Sequence, residues 1–155
     1  MKIELDGVKS LMSALNKVDR RIEKHANDLI LKSAVRTAGI AKRRLQPLSE
    51  DSRELAVDIG AVRQSINFDF DPANHSASVF AGNVQDDHMA AYLAFGTGKY
   101  AKKFVSTLPE PFQRMAMRFW KNGKGTIRVH DYFVGTYMQE GQRLKDKLKN
   151  LKVSW

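Results

Sequence analysis

The chain has 155 residues, which is enough for one domain with a hydrophobic core and too few for two comfortable ones. Its 43% hydrophobic and 28% charged residues are typical of a globular protein, and the lack of cysteine excludes disulfides and thiolate metal sites. No apolar stretch approaches the roughly 20 residues of a membrane span, and residues 1–10 lack the apolar region of a secretory signal. We therefore expect a single domain over residues 1–155, synthesised in the cytoplasm, with no membrane partner.

The net charge of +9 is unevenly distributed along the chain. Residues 1–46 carry +6, residues 47–98 carry −6 and residues 99–155 carry +9. A basic–acidic–basic chain can complement itself, within one copy or between copies. A protein that only binds nucleic acid gains nothing from the acidic middle.

The first predicted element is a long amphipathic helix over residues 8–45. Apolar residues recur there every three or four positions, Asp6 is a plausible N-cap, and no proline interrupts the pattern before Pro47. A helix of this length cannot bury its whole apolar stripe against a small body, so we expect one end to project or to pack on a neighbour. Residues 46–60 are polar and acidic and are interpreted as a loop or a short irregular segment.

Alternating apolar and polar residues on both sides of the turn sequence DPANH predict a β-hairpin at 64–82. The remaining predicted elements are a short helix at 87–95, a helix at 110–121, a strand at 126–131 and a C-terminal helix at 134–151. The predicted fold class is α+β, with the long N-terminal helix packed on a small antiparallel β-sheet alongside short helices and the C-terminal helix.

The sequence GTGK at 96–99 raises the question of a phosphate-binding loop. A P-loop needs two glycines five positions apart, then Lys and Ser or Thr, after a strand and before a helix. Here the glycines follow a helix and Lys99 precedes Tyr100, and the dinucleotide pattern GxGxxG also fails. We interpret Gly96, Thr97 and Gly98 as a structural turn, with Gly96 as a left-handed helix C-cap.

No residue pattern argues for catalysis, a cofactor or a bound metal. The four histidines form no i, i+4 ligand pair, and no GxSxG nucleophile motif occurs. His88 lies beside Asp86 and Asp87, which admits an acid–base pair, but a solvated helix N-terminus is the favoured interpretation. A hydrolase at His88 is therefore the last-ranked function, and we expect no enzyme activity.

Basic and aromatic clusters are the candidate contact residues. The cations occur in KRR (Lys42, Arg43, Arg44), in KYAKK (Lys99, Lys102, Lys103) and in KDKLK at 145–149. These cations could contact a neighbouring subunit, bind DNA phosphates or simply be solvated surface charges. Tyr132 and Phe133, followed by Tyr137 and Met138, form an apolar patch that is either core or an exposed anchor for another subunit.

Three short motifs in order resemble the tail-completion, head–tail joining or neck proteins of long-tailed bacteriophages and prophages. That family typically has G-A-L-R-x-S-I, then a hairpin, then Y-A-x-Y-V-E-F-G-T-G, then P-x-P-F-L-x-P-A at the last helix. The matching residues are Gly60, Ala61, Arg63, Ser65 and Ile66 in the first motif, and Ala91, Tyr92, Phe95, Gly96, Thr97 and Gly98 in the second. The chain departs at Ala94, which replaces an acidic residue, and at 130–136, where HDYFVGT replaces the proline motif.

This resemblance implies a structural virion protein without enzyme activity. It implies a homo-oligomeric ring, expected as a hexamer, that joins the head connector to the tail tube at the head–tail junction of the virion. A basic ring lumen would make weak non-specific contacts with the DNA that passes through it. The alternative, from the net charge and the basic clusters, is a nucleic-acid-binding module.

Overall fold

The computed structural model describes residues 2–4, 20–82, 87–120 and 125–151. These ranges contain three strands and six helices: β1 (Lys2–Glu4), α1 (Arg20–Arg44), α2 (Arg53–Ser65), β2 (Asn67–Asp71), β3 (Ser76–Phe80), α3 (Asp87–Phe95), α4 (Gly98–Val105), α5 (Glu110–Trp120) and α6 (Val134–Lys149). The α+β class predicted from the sequence is confirmed, since the long helix packs on a small antiparallel sheet.

The sheet has the strand order β1-β3-β2, and both neighbouring pairs are antiparallel. β2 and β3 form the hairpin, with Phe68 opposite Val79. The turn is held by Asp71, whose carboxylate accepts hydrogen bonds from the Ala73 and Asn74 amides and from the Asn74 side chain. These bonds, led by that of the Asn74 side chain, lower the pKa of Asp71. β1 was not predicted; its partner strand lies more than 70 positions away along the chain.

Helix α1 buries a continuous stripe within this chain. The stripe consists of Ile22, Ala26, Ile30, Ala34, Ala38 and Ala41, and the chain after the helix continues it with Leu45. It packs on α6, on β2 and β3, and on α2, and its four alanines leave room for close approach of these elements. Residues 22–45 thus bury their stripe within the chain, and the expectation that one end of the helix projects or packs on a neighbour stays a prediction. The predicted residues 8–19 of this helix, and Asp6, lie outside the described residues.

Helix α2 corrects the interpretation of residues 46–60 as a loop, and the hairpin strands begin at Asn67 rather than at residue 64. Ser52 caps the helix by accepting a hydrogen bond from the Leu55 amide at 3.2 Å. Leu55, Ile59 and Val62 then recur at helical spacing, with Ile59 and Val62 fully buried. Polar residues between them, including the exposed Glu54 and Asp58 on the opposite face, concealed this period.

The predicted strand at 126–131 is wrong. Residues 125–130 have no regular secondary structure, and turn geometry follows at Asp131 and Tyr132. The segment is fixed by separate hydrogen bonds to the end of α3 and to the loop after it: the His130 amide donates to the Leu93 carbonyl at 2.8 Å and the Thr97 amide donates to the Ile127 carbonyl at 2.9 Å. The β-like composition of these residues therefore belongs to a largely exposed connection, in which His130 is the one buried residue, and not to a strand.

The aromatic residues at the start of α6 belong to the core. Tyr132 is fully buried, Phe133 is 2% exposed, and their rings meet edge to face with centroids 5.6 Å apart. The Tyr132 hydroxyl donates to the Ala90 carbonyl at 3.0 Å. The interpretation of Tyr132 and Phe133 as an exposed anchor for another subunit is therefore wrong, whereas Met138 is exposed.

Burial raises the pKa of the Tyr132 hydroxyl above its usual value. Above about pH 10 the tyrosine of the unfolded chain ionises while the folded one stays protonated, so the free energy of unfolding falls by up to about 1.4 kcal/mol per pH unit. We expect Tyr132→Phe to cost about 1 kcal/mol at pH 7 through the lost hydrogen bond, and to lose less stability than the natural chain between pH 10 and 11. Urea unfolding at a series of pH values measures both. Parallel curves for the two proteins above pH 10 would contradict the burial of a neutral phenol.

Candidate interaction surfaces

The Gly96-Thr97-Gly98 sequence forms a tight junction between α3 and α4. Gly96 has φ +74° and its amide closes α3 by donating to the Tyr92 carbonyl at 2.7 Å. A Cβ added at Gly96 would lie 2.9 Å from Cγ2 of Val129 and 3.3 Å from the Ile127 carbonyl oxygen. Only glycine fits here, because both the backbone angle and the neighbouring segment exclude a side chain.

Thr97 is the link between this junction and residues 125–130. Its amide donates to the Ile127 carbonyl, and its Oγ1 accepts from the Ile127 amide at 2.9 Å. The Gly96 and Thr97 amides are thus already bonded to the chain, and a phosphate cradle would need such amides unoccupied. The loop therefore has a structural role: it holds α3, α4 and residues 125–130 in one arrangement.

The basic cluster Lys42, Arg43 and Arg44 forms the last turn of α1. Cations at this end stabilise the helix by interacting favourably with the negative end of its dipole. All three residues are exposed. Arg44 also donates to Oγ1 of Thr136 at 3.2 Å and to Oε1 of Gln139 at 3.0 Å, so it fastens the end of α1 to α6. Lys42 and Arg43 are therefore the members of this cluster whose side chains are available to contact another molecule.

The second basic cluster lies on helix α4, which was not predicted from the sequence. Lys99, Lys102 and Lys103 are exposed residues of α4. The Lys99 ammonium lies 5.1 Å from the centre of the Tyr100 ring, which Arg128 also approaches at 5.3 Å. No hydrogen bond, ion pair or ring contact joins this cluster to that of α1 within the described residues.

The buried pair of His130 and Asp51 was not predicted from the sequence. The side chains are 2% and 4% exposed, and Nε2 of His130 lies 3.6 Å from Oδ2 of Asp51. Nδ1 of His130 contacts the Gln46 carbonyl at 3.2 Å, and Asp51 accepts from the Leu48 amide. The pair fixes the turn before α2 against the segment before α6; its enclosure gives no substrate access to the imidazole.

An ion-paired triad joins α1 to α6. Glu140 on α6 is only 2% exposed, yet it carries a carboxylate. One oxygen is 2.9 Å from Nε of Arg36 on α1, and the other is 2.8 Å from a guanidinium nitrogen of Arg143 on α6. Each carboxylate oxygen thus has its own cation, which compensates for burying the charge.

An open groove of about 710 Å³ runs beside this triad between α1 and α6, with an adjoining recess of about 250 Å³. The recess is lined by two cations from each helix: Lys32 and Arg36 from α1, and Arg143 and Lys147 from α6. Leu29 lies on the wall of both, and Leu151 on the wall of the groove. We call this surface the basic groove.

The exposed side of α2 carries two carboxylates next to the exposed Arg53. The surface defined by Glu54, Val57 and Asp58 is here called the acidic face. The two carboxylates lie four residues apart on one side of the helix, and Val57, one residue before Asp58, is 69% exposed. Neither carboxylate forms an ion pair within the described part of the chain. The chain thus displays a basic and an acidic surface on different helices.

Comparison of the chain with models of known protein families, with curated proteins and with solved structures finds no match. Among the described residues, no cluster of His, Cys, Asp or Glu is arranged to hold a metal ion. No helix in the described ranges has both the length and the apolar character needed to cross a bilayer. His88 is exposed and stacks on Tyr92 with ring centres 6.4 Å apart, while its two suggested partners, Asp86 and the side chain of Asp87, lie outside what the structure describes.

The junction at Gly96 can be tested with a pair of matched glycine substitutions. We expect Gly96→Ala to lower the free energy of unfolding by about 1–3 kcal/mol, because alanine strains the positive φ and meets Val129. Gly60→Ala in α2, where a Cβ meets nothing within 4 Å, should instead raise it by about 0.5–1 kcal/mol. Thermal and urea unfolding measure both, and equal effects of the two substitutions would refute the assignment of a special backbone site to Gly96.

The triad can be tested with Glu140→Gln, which keeps the shape and removes the charge. We expect the free energy of unfolding to fall by about 1–3 kcal/mol, because two charge-assisted hydrogen bonds are weakened in a buried position. Lys145→Ala, on the exposed side of the same helix, should change it by less than about 0.5 kcal/mol. Urea unfolding of the two variants decides the matter; indifference to Glu140→Gln would mean that the triad does not hold α1 to α6.

Proposed function

We propose that this protein is a structural ring subunit at the head–tail junction of a long-tailed phage or prophage, joining the head connector to the tail tube. The observation that carries the proposal is the pair of oppositely charged surfaces on different helices of one chain, the basic groove and the acidic face. Two different complementary surfaces suit head-to-tail contacts, which close into a ring when the rotation between copies allows it.

The rigidity of the body supports the same function. A ring subunit must hold its two contact surfaces at a constant angle, or the ring does not close. The Glu140 triad fixes α6 on α1, and the Gly96 junction fixes α3 and α4 against residues 125–130. The resemblance of the GAVRQSI and AAYLAFGTG motifs to phage neck proteins adds the place of this ring within the virion.

The decisive experiment is removal of the protein from the phage or prophage that encodes it. We expect the mutant to accumulate filled heads and separate tails that do not join, as seen by negative-stain electron microscopy, and expression of the natural chain from a plasmid to restore complete virions. Light scattering of the purified protein, alone and with its tail tube, should detect an oligomer in at least one condition. Normal virions from the deletion mutant would refute the proposal.

A nucleic-acid-binding module is the second candidate, supported by the exposed Lys42, Arg43, Lys102 and Lys103. A protein that uses six or more phosphate contacts should lose about a thousandfold or more in DNA affinity between 50 and 200 mM salt. A titration with a short duplex at both salt concentrations makes the measurement. No binding at 50 mM salt would eliminate this candidate.

A further inference from the structure

We propose that the basic groove receives the acidic face of a second copy of this chain, so that α2 of one protomer lies against α1 and α6 of the next. This inference rests on the proposed ring and names the two surfaces that build it. The groove carries a surplus of positive charge, because the four cations Lys32, Arg36, Arg143 and Lys147 outnumber its two carboxylates, those of Glu140 and Asp146.

The two arginines still have hydrogen-bond donors available for a further anion. Each has a contact with Glu140 through one nitrogen, at 2.9 Å for Arg36 and 2.8 Å for Arg143. A guanidinium has five N–H donors, so both keep donors for a further carboxylate, and their side chains are 53% and 44% exposed. Lys32 and Lys147 form no ion pair within the described residues.

The spacing of charges in the groove matches that of the acidic face. Lys32 and Arg36 are four residues apart on α1, and Arg143 and Lys147 are four residues apart on α6. Glu54 and Asp58 have the same separation on α2. Side chains at this separation start about 5–6 Å apart on a helix. Each carboxylate of α2 can therefore contact one pair of cations in the groove, with one cation from α1 and one from α6.

The apolar parts of the two surfaces also correspond. Val57, one residue before Asp58 on the exposed side of α2, is 69% exposed, and Leu29 and Leu151 lie half-buried on the groove wall. A DNA strand would present no aliphatic group to these leucines. An acidic helix that also exposes a valine therefore suits this groove better than DNA does.

The experiment is a charge swap between two variants. One variant, Lys32→Glu with Lys147→Glu, makes the groove acidic and replaces none of the three triad residues; the other, Glu54→Lys with Asp58→Lys, makes the α2 face basic. Each variant alone should associate at least about tenfold more weakly than the natural chain, because like charges then meet. An equal mixture of the two should assemble again, since every contact in an alternating ring is complementary. Lys102→Glu with Lys103→Glu, which makes the same change in charge on α4, is the control and should assemble normally.

Cysteine cross-linking gives the readout even when association is weak, because the natural chain has no cysteine. Val57→Cys mixed with Gln142→Cys, which lies on the groove wall, should give a cross-linked dimer. Val57→Cys alone or mixed with Lys103→Cys should not. Introducing Lys32→Glu and Lys147→Glu into the Gln142→Cys chain should abolish the cross-link, and Glu54→Lys with Asp58→Lys in the Val57→Cys chain should restore it.

Three results would overturn the inference. An oligomer by light scattering without the Val57–Gln142 cross-link would place the ring contact on other surfaces and leave the proposed function intact. Association indifferent to the charge reversals would do the same. Loss of DNA binding in the Lys32→Glu, Lys147→Glu variant, with no cross-link in any mixture, would assign the groove to nucleic acid instead.

Discussion

The packing of α1 on α6 is the contact on which the rest of the structure depends. The alanine stripe of α1 faces the sheet and α6, and the buried carboxylate of Glu140 spans the two helices by pairing with Arg36 and Arg143. A buried carboxylate needs both cations, which restricts the sliding of one helix along the other more than apolar packing would. The same cations line the basic groove, so one set of residues sets the helix register and gives that surface its charge.

A second constraint acts at the other side of the core, where Gly96 and Thr97 meet residues 125–130. The close approach of this segment to Gly96 leaves no room for a side chain, and Thr97 bonds it with both its amide and its hydroxyl. His130 continues the connection to the turn before α2 through the Gln46 carbonyl and Asp51. The turn that precedes the acidic face is therefore anchored to the same connection that leads into α6. The two proposed contact surfaces thus belong to elements tied through the interior, as a ring subunit requires.

The candidate site was only partly visible in the sequence. The opposite charges of the chain's middle and ends predicted complementary surfaces, and the basic runs near the ends of α1 and α6 were apparent. The groove could not be predicted from the sequence, because Arg36 and Glu140 are more than one hundred positions apart. In the sequence, each looks like an ordinary solvated residue of its helix. The i, i+4 spacing of Lys32 with Arg36 and of Arg143 with Lys147 was the available signal. Spacing along one helix does not tell which second helix faces it.

By itself the sequence determined what depends on near neighbours in the chain: the periods of α1, α3, α5 and α6, the hairpin around DPANH, and the end of α3 at Gly96. Helix period, turn chemistry and glycine geometry act over a few residues, so they can be read directly. The tertiary structure alone decided that residues 126–131 are not a strand, that Tyr132 and Phe133 are core, and that Glu140 is buried between two arginines. Each of these outcomes depends on which distant segment supplies the neighbouring atoms, and that is a property of packing in three dimensions.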